Sequence, residues 1–72
     1  MNSFQIKHAA EKVLGILRIG GCLTYSEIKR ASKLSDNLLN AALGWLISAG
    51  KIEGEATRKE EHLFAFHNFS FG

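Results

Sequence analysis

Residues Ser35 to Ile52 read SDNLLNAALGWLISAGKI, and no other stretch constrains the fold of this chain as tightly. Ser35 is a helix-capping residue type, and Asp36 behind it puts a negative charge in the first turn, where the helix dipole favours one. At 100° per residue, Leu39, Ala42, Leu43 and Leu46 fall on one narrow face, while Asn37, Asn40, Ala41, Gly44 and Ser48 lie opposite. The first set predicts a core-facing stripe. Gly50 stands where a helix end needs a left-handed residue, and Lys51 beside it suits the negative pole of the dipole. The pattern predicts a helix over about residues 36–49 that stops at Gly50 and runs directly into a strand.

Upstream, Ile6, Ala9, Ala10, Val13, Leu14 and Leu17 recur at helical spacing and predict a first helix over about 4–19, ended by Gly20-Gly21. Ile16 and Ile19 widen its apolar sector beyond what one core needs, which hints at an oligomer. After a brief extended link at Leu23, Thr24-Tyr25-Ser26-Glu27 fits the S/T-x-x-E capping box and opens a second helix over about 25–32. Its pattern places Ile28 and Ala31 inward, with Lys29 and Arg30 outward. Lys33-Leu34 form the turn before Ser35.

Downstream, Ile52, Gly54 and Ala56 alternate with Glu53 and Glu55, and a polar loop at 57–60 leads to the apolar run Leu63 to Phe66. This predicts a β-hairpin over about 51–67, with Phe64 and Phe66 in its core. Phe69 and Phe71 make the segment 68–72 more apolar than a frayed end requires. Seventy-two residues suit one domain spanning 1–72, near the size where a single core is barely sufficient and a partner chain would help.

Helix, helix, turn, helix, hairpin is the order of an α+β winged helix-turn-helix, in which the third helix enters the DNA major groove and the hairpin loop reaches the backbone or minor groove. ALGWL from Ala42 to Leu46, followed by GKI from Gly50 to Ile52, resembles the small stand-alone bacterial winged-helix domains of unknown function, along almost the whole chain. The resemblance implies the winged-helix fold, a DNA-binding role inherited from that fold, and a homodimer. It supplies no ligand and no catalytic residue.

On a DNA-binding reading, Asn37 and Asn40 face base edges and Ser48 lies near phosphate. Lys29, Arg30 and Lys33 contact phosphates from the second helix, and Arg58 and Lys59 act from the wing tip. The chemistry fits, because Asn pairs with adenine through two hydrogen bonds and cations on phosphates release counterions. Nine Lys plus Arg against seven Asp plus Glu give a net charge of +2, which permits a polyanion partner without demanding one. Short charge runs are also ordinary solvated surface, and Asp36, Glu53, Glu55, Glu60 and Glu61 would sit near the same polyanion.

The alternative is a protein-interaction or assembly module that uses the neutral face of the third helix or the aromatic end. Ala41, Gly44 and Ser48 form a small-residue stripe there, suited to close approach by DNA, a second protomer or the first helix of the same chain. Trp45 is either a half-buried anchor packed on the hairpin or an interface residue. Phe69 and Phe71 belong either to a dimer interface or to a segment folded over the first helix. Enzyme chemistry is not expected: His8, His62 and His67 lack zinc-site spacing, and Cys22 has no adjacent base. No metal, cofactor or small-molecule ligand is implied. Cys22 reads as a buried, inert thiol of a reducing compartment, and with no apolar run long enough for a membrane span the expected location is cytoplasmic.

Overall fold

The computed structural model describes residues 2–56 and 62–66. In chain order the elements are α1 (Ser3–Gly20), β1 (Cys22–Thr24), α2 (Tyr25–Ser32), α3 (Asp36–Ser48), β2 (Ile52–Ala56) and β3 (His62–Phe66). Each helix begins at a side chain that satisfies its free amides. Asn2 caps α1 in a capping box with Gln5, whose backbone amide donates to Asn2 Oδ1 at 2.8 Å. Thr24 and Glu27 form the expected box at the start of α2, and the Leu38 amide donates to Ser35 Oγ at 3.3 Å at the start of α3.

The helix ends are equally local in cause. Gly21 closes α1 at φ 81°, and Gly50 closes α3 at φ 74°, both in the region that favours glycine. At Gly50 the amide donates to Ile47 O at 3.0 Å, and the Lys51 amide reaches Leu46 O at 2.9 Å, the paired bonds of a Schellman ending. The turn between α2 and α3 is tight because Lys33 itself adopts a left-handed conformation, φ 60° and ψ 27°.

The core is built from the predicted faces. Ala9, Ala10, Val13 and Leu17 of α1, Ile28 of α2, and Leu39, Ala42, Leu43 and Leu46 of α3 are buried together with Ile52 and Phe64. Burying side chains of this size contributes roughly 1.5–3 kcal/mol each for Val, Leu, Ile or Phe. The three strands form one antiparallel sheet in the order β1-β3-β2, so β3 is central. Leu23, Phe64 and Gly54 stand in one row across it, with Phe64 paired to both neighbours. The Phe64 ring lies over Gly54, so close that a Cβ on the glycine would come within 2.7 Å of Cε2.

Two expectations about which residues face inward are corrected. Cys22 is exposed, because it pairs with Ala65 in the row next to Leu23, and successive strand residues face opposite sides. Ala31 is exposed, and Ser32 takes the second inward position on α2 beside Ile28. The Ser32 hydroxyl can be buried because it donates to Lys29 O at 3.4 Å and accepts from the Leu34 amide at 3.3 Å. The link at Leu23 is also more than a connector: it is the middle residue of β1 and pairs with Phe64.

Candidate nucleic-acid interface

The outer face of α3 divides along its length. Its first half presents Asp36, Asn37 and Asn40, all exposed, and its second half presents Gly44, Trp45, Ile47 and Ser48. From Asn37 to Ser48 the helix rises about 16 Å at 1.5 Å per residue. Trp45 is 42% exposed and Ile47 45% exposed. They flank the face on opposite sides, and Ile47 reaches β2, with Cδ1 3.5 Å from where a Cβ on Gly54 would stand. Trp45 therefore stands exposed, where a half-buried anchor on the hairpin was one of the two expectations for it. No approach of α1 explains Gly44: among the described residues nothing lies within 4 Å of a Cβ placed there.

Arg30 and Lys33 are exposed, the first in the last turn of α2 and the second in the turn that leads into α3. Lys29 is held differently. Its Nζ lies 3.3 Å from Asp36 Oδ1, an ion pair between the last turn of α2 and the first turn of α3. The Tyr25 hydroxyl, from the first turn of α2, donates to the same oxygen at 3.1 Å. Lys29 first and Tyr25 second hold the Asp36 carboxyl below its ordinary 3.8. The Tyr25 phenol is raised above 10.0, first by partial burial and then by its hydrogen bond to Asp36. Sequence reasoning placed Asp36 correctly at the positive end of the helix and missed this cross-helix triad. Its members are 4, 7 and 11 residues apart, and only the angle between α2 and α3 brings them together.

Arg58, Lys59, Phe69 and Phe71 lie outside the described residues. Beside α3, Phe4, Gln5, His8, Ala9 and Lys12 of α1 join Leu34 and Leu38 around a shallow, mostly apolar groove of about 290 Å³. Phe4 is 75% exposed and stacks on His8, ring centres 6.4 Å apart. Among the described residues no group of three or more His, Cys, Asp or Glu is placed to hold a metal ion, and no helix is long and apolar enough to cross a membrane.

With caps, turn, third helix and antiparallel wing strands in place, the comparison with known families becomes decisive. Residues 1–66 match the family described as "Winged helix-turn-helix domain (DUF2582)". The chain belongs to this family. The match runs through every element of this winged helix-turn-helix domain, from α1 to the end of β3. It agrees with the resemblance carried by ALGWL and GKI. No curated protein and no solved structure matches the chain.

Proposed function

We propose that this winged helix-turn-helix domain is a cytoplasmic DNA-binding module that works as a dimeric transcriptional regulator and carries out no catalysis. In this reading α3 enters the major groove, and Asn37 and Asn40 meet base edges. Lys29, Arg30, Lys33 and Ser48 lie along the phosphates, and Arg58 and Lys59 contact the backbone from the wing. The observation that carries it is the exposure of Arg30, Lys33, Asn37 and Asn40 around one helix-turn-helix corner. Two exposed cations precede the entry to α3, and two amides capable of pairing with adenine follow on its outer face.

The test is a titration with mixed-sequence duplex at low and high salt. Binding that weakens with salt is expected, because each phosphate neutralised by Lys or Arg releases counterions. No binding at either salt overturns the reading.

A second reading is favoured by the other half of the same helix. Trp45 and Ile47, each more than two fifths exposed, border a neutral surface at Gly44 and Ser48 that suits a protein partner. On this reading the module is an interaction or assembly unit with no direct DNA contact. Retained assembly together with no duplex binding would select it.

A further inference from the structure

The Lys29–Asp36–Tyr25 triad sets a charge against the function proposed for the surface it occupies. Lys29 is one of three cations beside the start of α3, yet it faces a carboxylate rather than open solvent. Its side chain is 42% exposed and that of Asp36 65%. An ion pair this open adds little stability, but while it is made it turns Lys29 towards Asp36 and away from a phosphate. Asp36 has a second partner. Its oxygen is also held by the Tyr25 hydroxyl, and Tyr25 packs against the core. A phosphate that takes Lys29 therefore meets a neighbouring negative charge at the same corner.

We propose that Asp36 is a specificity-determining residue, an electrostatic gate that suppresses sequence-independent duplex binding by occupying Lys29 and by keeping a carboxylate at the entry to α3. The inference rests on the DNA-binding reading. Phosphate contacts supply nearly all non-specific affinity, whereas base contacts decide sequence. An acid beside the phosphate-contacting cations lowers the first and leaves the amides of Asn37 and Asn40 to act on bases. The gate is held by geometry, not by burial, so charge-removing substitutions can open it without disturbing the core.

The experiment compares the full chain with Asp36→Asn, Asp36→Glu, Lys29→Gln and the double variant Asp36→Asn/Lys29→Gln. Each is titrated with mixed-sequence duplex across a salt series, and folding is checked by circular dichroism. Asparagine keeps the size of Asp36 and an oxygen for Tyr25. Asp36→Asn is expected to bind ~3–10-fold more tightly at low salt, with a salt slope steeper by about one phosphate contact. Asp36→Glu, which keeps the charge, is expected to show little of that gain. Lys29→Gln is expected to lose less affinity in the native background than in the Asp36→Asn background, where it cancels most of the gain, the non-additivity of a coupled pair. Native chain and Asp36→Asn binding with equal affinity and slope overturns the gate and leaves the DNA-binding reading standing. If neither binds duplex at any salt, the DNA-binding reading falls and the gate falls with it.

Discussion

Gly44 and Gly54 are both exposed in the plain sense of surface area, and alanine should act on them in opposite directions. At Gly44, inside α3, a Cβ would meet nothing within 4 Å among the described residues. Gly44→Ala therefore removes the helix cost of glycine, and a stability gain of about 1 kcal/mol is expected in denaturant unfolding. If DNA or a partner chain approaches that face closely, the same variant loses affinity while it gains stability. At Gly54 the added carbon would lie 2.7 Å and 2.8 Å from Phe64 ring atoms. Gly54→Ala should therefore destabilise by ~1–3 kcal/mol, since the ring must shift within a packed core. Both glycines are visible in the sequence, but their reasons are not. The approach of Phe64 to Gly54 depends on a strand register, and the openness at Gly44 depends on where α1 does not go. Cys22 illustrates the same limit: a lone thiol beside an apolar residue reads as buried, whereas strand alternation puts Cys22 and Leu23 on opposite faces.

At the scale of elements, the signals that act over a few residues were legible. Ser35, the Thr24/Glu27 box, the Gly50 stop and the Leu39/Ala42/Leu43/Leu46 stripe all depend on spacings of three or four, and each does what its spacing predicts. The Asn2/Gln5 box had the same kind of signal and lay one turn ahead of the apolar pattern used to place α1. Strand β1 was not legible as a strand, because three residues carry no period and the partner that defines it lies some forty residues downstream. The junction of α2 and α3 was legible as a turn but not as a charged tie, and the tie makes its own pH prediction. Asp36 is shifted down, so its contribution is present above its ordinary value of 3.8 and is lost as the pH falls through a lower, folded-state value. Tyr25 is shifted up, so its contribution is complete below 10.0 and is lost as the pH rises through a higher, folded-state value. Following phenolate absorbance in alkali should give a Tyr25 midpoint above 10.0. Asp36→Asn should bring that midpoint down only part of the way, because burial, the largest single cause, remains. An unchanged midpoint in the variant would mean that the hydroxyl does not use Asp36 in solution.

For the whole molecule, the decisive quantity is how much apolar surface a chain of 72 residues leaves uncovered. The core joins all three helices to the sheet, and Leu39→Ala in it should cost ~2–5 kcal/mol. That is a large part of the roughly 4–11 kcal/mol available at 0.05–0.15 kcal/mol per residue. Yet Phe4 and Ile19, 75% and 92% exposed, stand near the two ends of α1, and Trp45 and Ile47 stand on α3. Large apolar residues held this far out in a small domain give the proposed homodimer its support among the described residues, independently of Phe69 and Phe71. Association that buries them couples folding to concentration, so the thermal midpoint should rise as the protein concentration rises. Light scattering over the same range should show a mass climbing from the 8.0 kDa of one chain towards twice that value. Two single variants separate the surfaces. Ile19→Ser should abolish the concentration dependence if α1 forms the contact, and Trp45→Ser should abolish it if α3 does. The second outcome would place the partner chain on the helix proposed to enter the major groove, so dimer formation and duplex binding would compete for one surface. A mass of one chain and a fixed midpoint at every concentration would remove the dimer.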